Sequence, residues 1–215
     1  SRGVLFHSDA CQSYTKVSID VKRDNVDLLT INAHKIHGSK GVGALYIREG
    51  IKLNPLLHGG GQEFGIRSAT ENVPGICGFA KAVEIANAGD VERMEKLRDY
   101  LIAELLKLGN IRLNGPTGKK RLCNNINVAF FMMEGELIQS ELSKKDIFVS
   151  TGSACSSSST KVSHVMKAIG CPMEYLHGNL RISISKYTTE EELKVALNEI
   201  KKILGNNNLH ELIGK

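Results

Sequence analysis

The chain has 215 residues, with a hydrophobic share of 41% and a charged share of 24%, values typical of an ordinary globular protein. No apolar run approaches the roughly 20 residues of a membrane-spanning helix, and the N-terminal apolar stretch is too short for a signal peptide, so we expect a cytoplasmic protein with no membrane association. The net charge of +5 is dispersed and not interleaved with aromatic residues, which argues against a nucleic-acid partner.

Three short apolar runs in the first third predict β-strands, at residues 3–10, 26–33 and 42–47. The second and third are separated by a Gly/Lys-rich turn at residues 38–41. Runs this apolar are typical of strands that are covered on both faces, as in α/β sheets.

Helical periodicity begins after Pro74 and predicts helices at 76–85 and 91–108, with a break at Gly89–Asp90. Beyond residue 108, short strands alternate with helices, and a hydroxyl cap with first-turn carboxylates opens the last helix. The predicted strands are 126–131, 148–150 and 180–185, and the helices 134–143, 159–169 and 189–204. The fold class is α/β, with part of a large domain at 1–75, connecting helices at 76–108 and a small domain at 109–215.

Five cysteines occur in the sequence, at widely spaced positions and with no Cys-x-x-Cys pair. This argues against a disulfide framework and against a metal site, and favours one reactive thiol among inert ones. Cys11 and Cys77 are predicted to be packing residues, whereas Cys123 and Cys171 could be reactive, although packing or the surface is favoured for both. Cys155 differs, because it lies among small and hydroxylated residues from Ser150 to Ser159, in a polar loop where a thiol is accessible.

Two charged residues at predicted strand ends are candidates for chemistry. Lys35 follows the second strand, at the position where sheet enzymes bind ligands, although a surface lysine at a turn fits equally. Asp9 ends the first strand, and a carboxylate in an apolar strand needs a cationic partner such as a pyridinium nitrogen. Gln12 follows Asp9 by one turn and could hydrogen-bond a ring substituent or be solvated.

Arg181 lies in a strand of apolar and small residues, where its guanidinium suits a substrate carboxylate or a structural ion pair. Arg67 and Thr70 end a glycine loop that begins at His58, and they are weaker candidates for phosphate contacts.

Taken together, the sequence resembles the nitrogen-fixation and iron–sulfur-assembly branch of the cysteine desulfurases, over nearly the whole chain. Six ordered segments carry the resemblance: His7-Ser8-Asp9-Ala10-Cys11-Gln12, Ala33-His34-Lys35, His58-Gly59-Gly60-Gly61-Gln62-Glu63, Arg67-Ser68-Ala69-Thr70-Glu71-Asn72, Ser153-Ala154-Cys155 and Leu180-Arg181-Ile182-Ser183.

The resemblance implies a homodimer of pyridoxal-phosphate (PLP) fold type I, whose large domain has a mainly parallel sheet. It implies that Lys35 attaches the cofactor covalently, that Asp9 pairs with the pyridinium nitrogen and that Gln12 contacts the ring hydroxyl. His34 and Asn32 would lie by the phosphate, with Asn32 in place of the usual serine.

The same resemblance assigns the reaction. Thr70 would reach the phosphate of the partner subunit's cofactor, Arg181 would hold the carboxylate of L-cysteine, and Cys155 would accept the sulfur as a persulfide. Alanine is the second product, and a sulfur-acceptor protein such as an iron–sulfur scaffold is the implied partner.

Three departures from the family pattern stand out. Phe64 replaces an arginine of the glycine loop, Ala69 replaces a glycine, and the chain is about half as long as family members, with the N-terminal half absent. We therefore do not expect the chain to turn over alone. The alternatives are a selenocysteine lyase, an aminotransferase relative, or an inactive half-chain that acts as a scaffold.

Overall fold

The computed structural model describes residues 3–152 and 163–206, and the chain forms two compact units, Ser1–Ala88 and Gly89–Lys215. The unit boundary lies well before the domain boundary predicted near residue 108. The reason is helix α2 (Ala88–Leu106), predicted as a connector, whose Leu97, Leu101 and Leu105 are buried in the core of the second unit. None of the described helices is long and apolar enough to cross a membrane.

The first unit contains a three-stranded sheet of mixed direction. Strand β1 (His7–Asp9) runs parallel to β2 (Leu28–Asn32), whereas β3 (Gly43–Ile47) pairs with β2 in the antiparallel sense. A mainly parallel sheet was expected, but the connection at 33–42 is shorter than the dozen or more residues that a parallel crossover requires.

One face of this sheet is packed and the other is open. Ala10, Val26 and Leu29 form a small buried cluster on the packed side. Side chains alternate along a strand, so Asp9 and Leu45 lie on the opposite face, where Asp9 is exposed and Leu45 keeps 45% of its surface exposed. The prediction that these strands are covered on both faces is therefore wrong for the unit as described.

Helix α1 (Val73–Glu84) completes the first unit. The Asn72 side chain caps the helix by accepting a hydrogen bond from the Gly75 N–H at 3.2 Å. Phe79 and Ala82 are buried with Ala33, Ile36 and Val42 in a second cluster. Cys77 is exposed on this helix, so its predicted packing role is wrong: it is not on the stripe that carries Phe79 and Ala82.

The second unit is built on an antiparallel sheet in the order β4-β5-β6. Its elements after α2 are β4 (Ile111–Leu113), β5 (Asn125–Phe130), α3 (Gly135–Ser143), α4 (His164–Ala168), α5 (Met173–Leu176), β6 (Asn179–Ser183) and α6 (Glu190–Asn206). The sequence did not predict β4 or α5. The strand predicted at 148–150 is reduced to one bridge between Ser150 and Arg181.

A single continuous core holds this unit together. It contains fully buried residues from α2, α3 and α6 and from the inner face of the sheet, including Leu101, Phe130, Ile138, Leu180 and Ile200. The predicted hydroxyl cap of α6 is confirmed. The Thr189 hydroxyl accepts from the Glu192 N–H at 3.2 Å, and the Glu192 carboxylate accepts from the Thr189 N–H at 2.8 Å.

Two glycines allow α3 to start directly against the sheet. A Cβ on Gly135 would lie 2.3 Å from the Asn179 carbonyl oxygen, and one on Gly178 would lie 2.0 Å from the Phe130 carbonyl oxygen. Both contacts are with backbone atoms, which cannot rotate away. The close approach of α3, β5 and β6 therefore depends on the absence of side chains at these two positions.

Candidate functional site

The predicted cofactor residues of the first unit converge at one edge of its sheet. Asp9 is the last residue of β1, and Asn32 is the last residue of β2. Since the two strands are parallel, their carboxyl ends meet at the same edge. Lys35 follows in a 3₁₀ helix, His34–Ile36, directly after β2.

The lysine segment is fixed by its backbone and by its neighbours. Asn32 Oδ1 accepts a hydrogen bond from the Lys35 N–H at 3.3 Å, which leaves the Asn32 Nδ2 protons for another acceptor. Lys16 Nζ donates to the Lys35 carbonyl at 3.5 Å. Ala33 is fully buried beneath the turn, and His34 and Lys35 remain exposed. The structure thus presents both side chains to a ligand while the backbone beneath them is held.

Asp9 forms hydrogen bonds with its neighbour Cys11 that favour the carboxylate form. Hydrogen bonds from the Cys11 side chain and from its N–H (2.9 Å to Oδ1) lower the pKa of Asp9, and His7 adds a smaller effect in the same direction. A permanent carboxylate is what a protonated pyridine nitrogen requires as a partner. Gln12, one residue further on, is exposed.

Cys11 contributes more than the packing role expected of it. Its thiol is half-buried and lies 3.9 Å from the Thr30 carbonyl oxygen. Burial, with a further contribution from the hydrogen bond to Asp9, raises the pKa of Cys11 to about 11, and the charge of Lys35 opposes this shift. Cys11 is therefore coupled electrostatically to both Asp9 and Lys35, and it serves as a neutral thiol donor.

Thr30 and His7 are site residues that the sequence analysis missed. Thr30 pairs with Asp9 in the β1–β2 register, and its hydroxyl is 2.8 Å from His7 Nε2. The His7–Thr30 pair stands on the open face that also carries Asp9. A polar residue in each of two neighbouring apolar strands was a usable signal, but only the pairing register brings the two together.

The glycine loop presents its candidate phosphate residues to solvent. Arg67 and Thr70 are both exposed, and between them the Ser68 hydroxyl accepts from the Gly61 N–H at 3.3 Å. Phe64, at the position where the family has an arginine, adopts a left-handed conformation (φ 57°) and is 99% exposed. The loop is closed by its own backbone, and no cofactor contact follows from its geometry alone.

Arg181 belongs to the second unit, in the middle of β6. Its backbone N–H donates to the Ser150 carbonyl at 2.6 Å, and the Ser150 N–H donates back to the Arg181 carbonyl at 3.0 Å. The side chain is partly exposed and faces Asn127 across the sheet. The candidate carboxylate-binding residue is thereby paired with the start of the segment that leads to Cys155.

Cys155 itself lies outside the described residues, as do its serine-rich neighbours up to position 162. Among the described cysteines, Cys123 and Cys171 are buried in the second unit, which favours packing over reactivity for both. Burial also raises the pKa of Cys171, so that it remains a protonated thiol.

A family model for class-V aminotransferases matches residues 1–195, and the chain belongs to that family. Among curated proteins, the cysteine desulfurase IscS of Dictyoglomus turgidum is 48% identical over 205 residues, which cover 94% of this chain and 52% of that protein. IscS of Methanosarcina thermophila is 49% identical over 206 residues, covering 94% and 50% respectively. The chain thus spans about half the length of the curated relatives it matches.

Solved structures give the same family resemblance. A NifS-like protein superposes with a TM-score of 0.81 at 41% identity, over 94% of this chain and 52% of that one. A structure titled SspA in complex with cysteine superposes with a TM-score of 0.67 at 34% identity, over 86% of this chain and 52% of the other. The predicted family and α/β fold class are confirmed.

Class-V aminotransferases and cysteine desulfurases are PLP-dependent enzymes, and the residues at the sheet edge fit that cofactor. Asp9 offers a carboxylate with a lowered pKa, and Lys35 offers an exposed primary amine. Asn32 retains an unused amide donor that suits an anionic group. The donor set therefore matches a cationic ring nitrogen, an aldehyde and a phosphate in chemical type.

Proposed function

We propose that the protein to which this chain belongs is a PLP-dependent cysteine desulfurase, with L-cysteine as substrate. The observation that carries the proposal is the position of Asp9, Asn32 and Lys35 at or just after the carboxyl ends of two parallel strands. Relatives at 48% and 49% identity are named cysteine desulfurases, and one structural neighbour holds cysteine.

The proposed reaction gives a separate role to Lys35, Asp9, Gln12 and His34. When bound, PLP would supply an electron sink for the substrate α-carbon. Lys35 would hold the cofactor covalently and, as a free amine, would move the α-proton. Asp9 would keep the ring nitrogen protonated, Gln12 would contact the ring hydroxyl, and His34 would lie by the phosphate.

The sulfur-transfer step balances with the residues named. Arg181 binds the substrate carboxylate, and the Cys155 thiolate attacks the substrate sulfur atom. The C–S bond breaks, a new S–S bond forms, and the β-carbon takes a proton, which gives L-alanine and a persulfide on Cys155. No external oxidant is required, because the electron pair of the broken C–S bond stays with the β-carbon, so the carbon is reduced as the sulfur is oxidised to the persulfide level.

The proposal extends to the assembly. By family resemblance, Thr70 reaches the cofactor phosphate of the partner subunit in a homodimer, and its exposure is compatible with that role. The persulfide would pass to a sulfur-acceptor protein, such as an iron–sulfur scaffold, or to a thiolation pathway. A cytoplasmic location, expected from the sequence, remains a prediction.

The test uses two proteins: this chain, and this chain fused behind the N-terminal half of the Dictyoglomus turgidum relative. PLP is added, and the yellow absorbance of a lysine-bound cofactor is recorded, followed by alanine and persulfide after addition of L-cysteine. We expect the fusion to bind PLP and to form alanine. Lys35→Ala should abolish the absorbance, and Cys155→Ala should abolish persulfide formation.

Lys40→Ala is the matched control, because Lys40 is an exposed lysine on the neighbouring turn. It should leave absorbance and turnover unchanged. Failure of the fusion to bind PLP through Lys35 would refute the proposal. Full alanine formation by Cys155→Ala would instead favour a selenocysteine lyase relative.

A further inference from the structure

The outer face of the second sheet carries positive charge, and its three strands β4, β5 and β6 contain no Asp or Glu. Side chains alternate along β6, so Leu180 and Ile182 enter the core while Arg181 points to the other face. The Arg181 guanidinium makes no hydrogen bond and no ion pair with any described residue. The structural ion pair that the sequence left open for Arg181 is therefore not found in the described part of the chain.

Asn127 stands beside Arg181 on this outer face. The two residues are direct partners in the antiparallel β5–β6 register, which brings their Cβ atoms to within about 5 Å. Both are half-buried. In the described chain, the buried side-chain atoms without a hydrogen-bond partner are Gln62 Oε1 and Asn179 Oδ1, so the unpaired donors of Arg181 and Asn127 reach solvent. A small ligand can therefore contact both side chains at once.

The Asn127 amide is oriented by a buried neighbour. Its Oδ1 accepts a hydrogen bond from Asn114 Nδ2 at 2.8 Å, and its backbone carbonyl accepts from the Asn114 N–H at 2.9 Å. Asn114 is 4% exposed, and its own Oδ1 lies 4.0 Å from the Cys171 thiol, so turning it away would leave buried polar atoms unpaired. The Asn127 oxygen is thus committed, and no described residue accepts from its Nδ2.

These donors define the chemical class of the ligand. A guanidinium and an amide nitrogen offer N–H groups and no acceptor, which suits an anion with several acceptor positions. The planar guanidinium matches a carboxylate, whose oxygens offer about four lone-pair positions. A bidentate guanidinium leaves part of these positions unused, and an amide donor beside it can occupy one of them.

We propose that Asn127 is a second substrate-binding residue, which donates from Nδ2 to the α-carboxylate of L-cysteine beside the Arg181 guanidinium. Asn114 is its positioning residue, since it fixes which end of the Asn127 amide is available. This inference rests on the proposed function, which gave the carboxylate to Arg181 alone. Contact from two residues also fixes the rotation of the carboxylate, and so the direction of the rest of the substrate.

The first readout needs neither cofactor nor turnover. The probe is propionate, a carboxylate without an amino or thiol group, added to the whole ¹⁵N-labelled chain while side-chain NMR resonances are recorded. We expect saturable shifts of the Asn127 Nδ2 and Arg181 Nε signals, and none with the neutral analogue propionamide. Asn127→Ala should raise the propionate Kd about tenfold, the size expected for one hydrogen bond to a charged group. Arg181→Ala should abolish saturation.

Two further variants separate ligand binding from a structural role. Asn127→Asp keeps an oxygen for the Asn114 amide but replaces the donors by a negative charge, so it should fold like the wild type and lose propionate binding. Asn125→Ala is the matched control. Asn125 lies on the same strand and face, and its Oδ1 accepts from the buried Arg121 at 2.9 Å. Its loss should leave the propionate Kd unchanged.

The second readout is kinetic and uses the PLP-loaded fusion protein. Asn127→Ala should raise the KM for L-cysteine about tenfold with kcat within about twofold of wild type, because a bond to the carboxylate is made both before and during the transition state. Asn114→Ala should raise KM by a smaller factor, since the Asn127 donors remain but are no longer oriented.

The absence of a saturable propionate shift at Asn127 would overturn the inference. So would wild-type propionate affinity in Asn127→Ala and Asn127→Asp, or equal losses in Asn127→Ala and Asn125→Ala, because the role would then be structural. A wild-type fusion that binds PLP but forms no alanine would instead overturn the proposed function. The two failures are distinguishable, because propionate binding to the chain does not depend on turnover.

Discussion

The two units bury their apolar residues very differently. The second unit has one continuous core, in which Leu101, Phe130 and Ile138 are almost completely buried. The first unit has two small clusters, and its sheet leaves the face with Asp9 and Leu45 open. The cofactor candidates thus lie where packing is weakest, and the polar face that could bind a ligand is the one that contributes least to folding.

The largest effect should come from the core of the second unit. Leu101→Ala removes a fully buried side chain, and we expect it to lower the free energy of unfolding by about 3 kcal/mol. Leu45→Ala, at a 45%-exposed position of the first unit, should lower it by less than about 1 kcal/mol. Urea unfolding followed by circular dichroism measures both. Equal losses would contradict the contrast between the units.

A second, smaller loss of stability is expected in the first unit at alkaline pH. The pKa of Cys11 is raised from 9.0 to about 11, so the folded state holds the thiol proton more tightly than the unfolded state does. The contribution of this thiol to the free energy of unfolding is therefore fully present below pH 9. It is lost as the pH rises from 9 to 11, by up to about 2 kcal/mol. Urea midpoints measured from pH 8 to 11 test this.

The control for this pH dependence is Cys77→Ala, which removes an exposed thiol of the same unit. Cys77→Ala should keep the alkaline loss, and Cys11→Val should remove it. Persistence of the full slope in Cys11→Val would show that another group titrates there.

The smallest of the three losses of stability should come from the N-terminal cap of α6. Thr189→Ala removes the hydroxyl that accepts from the Glu192 N–H, and loss of such a cap lowers stability by about 1 kcal/mol. Thr189→Ser should retain most of it. Thermal unfolding of the wild type, Thr189→Ala and Thr189→Ser measures these differences. A Thr189→Ser variant as unstable as Thr189→Ala would argue against the capping hydrogen bond.

Local sequence patterns were sufficient for β2, β3 and α6, whose apolar spacing and caps are self-contained. They failed for β4 and α5, because Ile111–Leu113 and Met173–Leu176 are too short to show a period. They also failed for the open face of the first sheet, since apolar composition alone does not say which face is covered.

The residues of the candidate site also differ in whether a local sequence pattern reveals them. Asp9 and Lys35 could be found because each stands at the end of its own strand. Thr30 could not, because its contacts with Asp9 and His7 depend on strand register. Long-range pairing of this kind is absent from any local window of sequence.

The bare glycines at 135 and 178 restrict how this part of the molecule can be reused. A side chain at position 135 would push α3 away from the Asn179 carbonyl, and one at position 178 would push β5 away from the start of β6. An engineer who transplants this part of the second unit onto another scaffold would therefore need to keep both glycines. The same requirement limits natural drift, because the two positions tolerate few replacements although neither offers any chemistry of its own.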